Sequence, residues 1–408
     1  MSVDAASLRA VDAADVLVGE KVVATLVRTG RDDIRFEYAE PAAAEARIRS
    51  ISVSWSLPAD AAGPVLTAGG SVPPFFAGLL PEGVRLGAVV SSTKTSLDDH
   101  LTLLLAVGAD TIGDVRVVPT GCVPRGPTPM FSPGQDVDFA AVFDRLVGSV
   151  EADPVALSGV QPKASAAMWS VPTRTRSGPA ILKLTPPKGF PRLSENEHFF
   201  LQMAGACGLR VPTTSLLYDS NGRSGLLIAR FDRADGMRIP QEDACQVAGL
   251  YPASKYRMKA ETAITALADA CARGGGSRTA AVLELLRAVV FSSVIGNGDL
   301  HGKNLSIYAP GGLWQPTPAY DMLTTQPYTG WRDPMALSLY GRANQFRRKD
   351  FVDAGLQLGL RERALNRMID DLVTAARPWP DRCAEIGFTD PETVRLGAML
   401  RDHIDALT

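Results

Sequence analysis

The stretch "SVIGNGDLHGKNLSIY", residues 293–308, places Asp299, His301, Lys303 and Asn304 within six positions directly after an apolar run. The run reads as a helix ending at Gly296, so Asp299 and Asn304 fall in a loop. The following "LSIYAPGGLWQPTPAYD" reads as a hairpin turning at Pro310-Gly311-Gly312, which returns the chain to Asp321. An acid, an amide five residues later and a second acid past a hairpin are what metal-assisted phosphoryl transfer requires. One carboxylate accepts the proton of the attacking hydroxyl, while an amide oxygen and a second carboxylate hold Mg²⁺ against the phosphates. Oxygen ligands suit that hard cation better than a lone His301 suits zinc. Asx residues also satisfy backbone groups in ordinary turns. For "GNGD" alone that reading would win; the D-x-H-x-x-N string with "AYD" downstream favours function.

A nucleotide site also needs positive charge and a phosphate cradle. In "PAILKLTP", Lys183 is one polar residue in an apolar strand, for which a solvent-facing position on an edge strand is the ordinary explanation. Its place before a helix carrying Glu197 suggests instead the ion pair that positions a phosphate-binding lysine in kinases. Glu197 has a rival role too, because Ser194 to Glu197 has capping-box spacing. Upstream, "ALSGVQPKASA" offers Ser158, Gly159 and Lys163 in a short turn whose backbone N–H groups could meet phosphate oxygens. "LLIARFDR", residues 226–233, ends a strand where a hinge would present the backbone of Ala229 and Phe231 to an adenine edge. Arg230, Asp232 and Arg233 read as a structural ion-pair set.

The rest of the chain bounds these readings. At 408 residues it should form two or three packed units. A formal net charge of -2 argues against coating nucleic acid by bulk charge. The five cysteines lack CxxC spacing, so neither a disulfide framework nor a zinc site is expected. Early acids and no sustained apolar core argue against a signal peptide, and the apolar segment near Val282–Ile295 is interrupted by Glu284 and Arg287. A reducing cytoplasmic setting is the expectation. "KVVATLVRTGRDDIRFEYAE" reads as a hairpin with Ile34, Phe36 and Tyr38 on its buried face. Residues 118–134 hold five prolines and three glycines, a linker composition. A strand-rich lobe then precedes a helix-rich one.

These pieces, in this order, resemble the HipA family of bacterial serine/threonine-protein kinases, the toxin components of HipBA toxin–antitoxin systems. "PFFAGLLPEG" and "GADTIGDV" look like the family's N-terminal subdomain, "SGVQPK" like its phosphate loop, and "ILK", "ENE" and "ARFDR" like its small lobe. "QEDACQ", the pair Lys255-Tyr256, "GNGDLHGKN" and "AYD" look like its large lobe. The resemblance implies an α+β, bilobal protein-kinase-like fold with an extra N-terminal α+β subdomain and a helix-rich C-terminal lobe. The divisions expected are 1–125 for the subdomain, 126–145 for a linker, 146–235 for the small lobe and 236–408 for the large lobe.

It further implies ATP and Mg²⁺ as cofactors, Asp299 as general base and Asn304 and Asp321 as metal ligands. Nucleotide contacts would come from Ser158, Gly159, Val160, Gln161, Lys163, Lys183, Ala229, Phe231, His301, Lys303, Asn304, Tyr320 and Asp321. Implied partners are a HipB-like helix-turn-helix antitoxin, operator DNA through that complex, and a protein substrate such as an aminoacyl-tRNA synthetase. The family's autophosphorylated serine has Ala156 at its place here, which leaves Ser158 as the loop hydroxyl. Two other classes remain open. A small-molecule phosphotransferase of the aminoglycoside-kinase type shares "GDLH", but has a His where this chain has Asn297. A non-catalytic nucleotide-binding repressor partner is the third.

Overall fold

The computed structural model describes residues 5–30, 33–39, 52–60, 63–124, 137–142, 168–175, 178–186 and 189–408. The chain divides into two compact units. One contains the N-terminal segment to Pro129 together with Asp232–Ser254, and the other contains Gln161–Phe231 and Lys255–Thr408.

The first unit is built on strands β1 (Ala13–Val18), β2 (Lys21–Arg28), β3 (Ile34–Tyr38), β4 (Val65–Thr67) and β5 (Val115–Pro119). They form an antiparallel sheet in the order β4-β3-β2-β1-β5. β1 and β2 are joined through Gly19, whose φ of 60° is the left-handed conformation a two-residue hairpin needs and a side chain resists. The alternation expected from sequence holds: Ile34 and Phe36 are buried, with Arg35 and Glu37 on the other face. Helices α1 (Pro74–Gly78) and α3 (His100–Val107) supply Phe75, Phe76, Leu101, Leu103 and Leu104 to the same core, and α2 (Gly83–Thr93) packs the half-buried Leu86, Val89 and Val90 against it.

Residues 232–254 belong to this unit for a physical reason. Arg233 and Arg238 both reach the Asp110 carboxylate, at 2.9 and 2.7 Å, and Arg233 also pairs with Asp232 at 2.7 Å. "QEDACQ" continues the attachment. Asp243 and Gln246 form a capping box, Gln246 Nε2 donates to the Phe75 carbonyl at 3.0 Å, and Glu242 accepts from Ser54 Oγ and the Trp55 N–H. Burial pushes the Glu242 carboxyl up to about 8, against those two hydrogen bonds. It pushes Asp114 up to about 6, against the charges of Arg233 and Arg238.

The second unit opens with a four-stranded antiparallel sheet of β6 (Trp169–Thr175), β7 (Gly178–Leu184), β8 (Thr214–Tyr218) and β9 (Ser224–Ala229), ordered β6-β7-β9-β8. Helix α4 (Leu193–Ala206) packs on it, burying Phe199, Phe200 and Met203. Then come α5 (Ala260–Arg273) and α6 (Arg278–Ile295). α6 starts where Ser277 Oγ accepts the Ala280 N–H and stops at Gly296, left-handed at φ 65°. Its apolar residues are buried nearly all round, which marks a core helix. The expected hairpin is present as β10 (Ser306–Tyr308) and β11 (Gln315–Pro316), joined through the Pro310–Gly312 turn. Helices α7 (Arg348–Gln357), α8 (Glu362–Ala376) and α9 (Asp390–Asp405) complete the unit. Among the described residues no helix is long and apolar enough to cross a membrane.

Candidate active site

Three segments of the second unit converge on one cluster: strand β7 with helix α4, the loop after α6, and the return from the β10–β11 hairpin. Lys183 does not face solvent. β7 lies between β6 and β9, and the lysine side chain is only 13% exposed. Its Nζ donates to Glu197 Oε1 at 2.7 Å and to Asp321 Oδ1. Glu197 is not a capping residue either. The N-cap of α4 is Arg192, which makes no side-chain cap bond, and the Glu197 side chain has no exposed surface. Burial alone would lower the Lys183 pKa, but the charges of Asp321 and Glu197 outweigh it and hold the ammonium above its ordinary value. Burial, resisted by the Lys183 charge and reinforced by that of Asp321, holds the Glu197 carboxyl above its ordinary range. One cation thus stands between two carboxylates in a nearly dry setting.

The loop after α6 is held by its own amides. Asn297 is the hub: its Oδ1 accepts the Asp299 N–H at 3.0 Å and its Nδ2 donates to the Asp321 carbonyl at 3.2 Å. A single buried side chain therefore fixes both acids relative to each other. Asn304 closes the loop back on itself, with Oδ1 accepting the His301 N–H and its own N–H donating to the His301 carbonyl, both at 2.9 Å. Its Nδ2 then donates to Asp321 Oδ2 at 2.9 Å. Asp321 sits at φ 54°, a left-handed conformation that Asp tolerates better than most side chains. Asp299, His301 and Asn304 are all buried, and Tyr256 reaches them from outside. The Tyr256 hydroxyl donates to Asp299 Oδ1 at 3.0 Å, and its ring meets His301 edge-on at 5.1 Å.

Other predicted contacts divide by position. The Tyr320 hydroxyl donates to the Lys303 carbonyl at 2.6 Å and bonds Ser306 Oγ, joining Tyr320, Lys303 and the hairpin. Phe231 approaches the Tyr320 ring at 6.0 Å and the Tyr308 ring at 5.9 Å. The Ala229 N–H is already used by the Thr213 carbonyl, so of that residue's backbone groups only the carbonyl is left to face adenine, as an acceptor for an adenine N–H. Ser158, Gly159, Val160, Gln161 and Lys163 lie outside the described residues, as do Ala156 and Ser165.

Sequence reading missed two supports. Asn297 stood out only as the position where the aminoglycoside-kinase class has a His, and nothing local marks its reach to Asp321. Gly298 donates to Thr325 Oγ1 at 2.9 Å, and Thr325 in turn donates to Asp333 Oδ2 at 2.9 Å. A Cβ on Gly298 would fall 2.1 Å from Asp333 Oδ2, so only glycine lets that acid approach.

The arrangement defines an α+β fold of protein-kinase type, with an N-terminal α+β subdomain and a helix-rich C-terminal portion. Residues 155–379 match the HipA-like C-terminal domain and residues 14–118 the HipA N-terminal domain, and the chain belongs to the HipA family. The Sinorhizobium fredii relative Y4mE is 30% identical over 74% of this chain and 77% of its own. The serine/threonine-protein kinase toxin HipA of Shewanella oneidensis is 25% identical over 76% of each chain. A solved complex of Shewanella oneidensis HipA with HipB and its operator DNA contains a chain that superposes with a TM-score of 0.76 at 19% identity, covering 97% of both.

Proposed function

We propose that this protein is an ATP- and Mg²⁺-dependent serine/threonine-protein kinase of the HipA toxin type. The observation that carries the reading is the convergence of Lys183, Glu197, Asn304 and Asp321 in one hydrogen-bonded cluster, bound through Asn297 to Asp299. The donor set fits the cation: a carboxylate and an amide oxygen are hard ligands, and the two side chains are neighbours, meeting through Asn304 Nδ2 and Asp321 Oδ2, so the amide oxygen, now on the His301 N–H, would have to face the ion. Asn304 and Asp321 would hold Mg²⁺, which when bound neutralises charge on the phosphates. Lys183, oriented by Glu197, would bind a phosphate oxygen. Asp299 would accept the proton of the attacking serine or threonine hydroxyl through Oδ2, while Tyr256 holds Oδ1. Phe231 and the Ala229 carbonyl would receive the adenine, and the phosphate loop is assigned to residues 158–163 on sequence alone.

The substrate we propose is a translation component such as an aminoacyl-tRNA synthetase, in the cytoplasm. The partner is a HipB-like helix-turn-helix antitoxin that brings the kinase to operator DNA. The Shewanella oneidensis relative's name and its solved complex support this reading. Purified protein incubated with labelled Mg·ATP, a cell lysate and an aminoglycoside panel tests it. Label on a lysate protein supports the reading; label on aminoglycosides alone, or none, refutes it.

A further inference from the structure

Arg210 lies just past α4, the helix that carries Glu197, and stands outside the cluster described above. Its guanidinium nonetheless makes four hydrogen bonds. Nε donates to Glu284 Oε1 on α6 at 2.6 Å, Nη1 to the Tyr308 hydroxyl at 3.3 Å and Gln315 Oε1 at 3.2 Å, and Nη2 to the Pro316 carbonyl. Its own carbonyl accepts the Ala319 N–H at 2.7 Å. Tyr308 is on β10, Gln315 and Pro316 form β11, and Ala319 is two residues before Asp321. One residue therefore holds both strands of the hairpin, its exit, and the helix that leads to Asn297.

That hairpin has a particular position in the chain. Asn304 lies two residues before its first strand and Asp321 five residues after its second. The pairing of the strands thus bears on the approach of the two side chains that would share the cation. Behind them is a small cavity lined by Arg210, Glu284, Asn304, Thr317, Ala319 and Met322 among others. Space on that side lets Asn304 and the hairpin exit shift if the guanidinium is removed. A rigid fork with several donors is required for this connection, because a lysine ammonium cannot reach Glu284, Gln315 and Pro316 together.

We infer that Arg210 is a positioning residue that sets the Asn304–Asp321 pair for its cation by holding the β10–β11 hairpin from behind. The inference rests on the kinase reading proposed above. Outer partners of metal ligands typically change metal affinity by about tenfold to a hundredfold when removed. Loss of the Arg210 fork acts on both ends of one hairpin rather than on a ligand directly, which favours the lower figure.

The test uses the full chain with Arg210→Ala and Arg210→Lys. Affinity for a fluorescent ATP analogue is measured across a Mg²⁺ titration and again without Mg²⁺, and hydrogen exchange is measured without nucleotide. We expect the Mg²⁺ requirement to rise roughly tenfold in both variants. Metal-free nucleotide affinity should hold, exchange should accelerate across 304–321 but not in α8, and methylguanidinium should partly restore the Arg210→Ala protein. Faster exchange with an unchanged Mg²⁺ requirement reduces Arg210 to a structural clasp and overturns the inference. Unchanged exchange overturns it as well. If Arg210→Ala does not fold, Arg210→Lys decides by the same readouts. Wild-type protein that binds nucleotide without any Mg²⁺ effect overturns the kinase reading and this inference with it, while the exchange pattern still reports whether the clasp exists.

Discussion

Replacing Lys183 by methionine should destabilise the protein much more at pH 8 than at pH 5. The variant strands Glu197, whose side chain has no exposed surface, whereas Asp321 at 23% exposure keeps contact with water. Removing one partner of a buried ion pair typically costs about 3–5 kcal/mol. Proton uptake by Glu197 sets a ceiling. From its ordinary value of 4.5, protonation at pH 8 costs about 5 kcal/mol and at pH 5 about 1 kcal/mol, at about 1.4 kcal/mol per pH unit. The direction follows from linkage: a carboxyl raised in the folded state contributes stability below its unfolded pKa and loses it as pH rises through its folded one. Urea unfolding of wild type and Lys183→Met at both pH values measures the difference. The double variant Lys183→Met/Glu197→Gln should remove most of the pH dependence. An equal loss at pH 5 and pH 8, or a loss below about 1 kcal/mol at pH 8, would refute the placement of Lys183 against a dry Glu197.

In the first unit, Glu242 at about 8 and Asp114 at about 6 are both raised, so its stability should fall as pH rises from about 4.5 through 8. Glu242→Gln should flatten the upper part of that fall, which melting temperatures at several pH values will show. Gly298→Ala should cut phosphate transfer at least tenfold, because the new Cβ meets Asp333 and Thr325 and displaces the residue before Asp299; a rate near wild type would mean the loop tolerates that shift. Asp321→Asn should abolish the Mg²⁺ dependence of nucleotide binding, read by the same titration as for Arg210, and an unchanged dependence would remove Asp321 from the metal site.

Much of the second unit was legible because its signals are local. Gly296 must be left-handed to end α6, and Pro310-Gly311-Gly312 can only turn, so the loop and hairpin followed from residue chemistry alone. The alternation around Phe36 gave β2 and β3 in the same way. Lys183 was ambiguous for a different reason. A single polar residue in an apolar strand reads alike at an edge and in the middle of a sheet, and strand order is a long-range property. The capping spacing of Ser194 and Glu197 likewise pointed to a local role, which the reach of Lys183 from β7 overrides. The contacts of Asn297 with Asp321, Arg210 with Glu284 and Asp333 with Thr325 carry no local mark, since these partners lie 24, 74 and 8 residues away. The anchoring of residues 232–254 through Asp110 and Phe75 is long-range in the same sense.

In the proposed mechanism Asp299 is the base of a protein-phosphorylating site whose nucleotide contacts lie elsewhere in the cluster. Asp299→Asn keeps the shape of the side chain and removes its basicity. The most direct measurement is transfer of labelled phosphate from Mg·ATP to lysate proteins by wild type and Asp299→Asn, with nucleotide affinity determined on the same preparations. Transfer should fall roughly 10²–10⁴-fold in Asp299→Asn with nucleotide affinity retained. Equal transfer by the two proteins would contradict that role for Asp299.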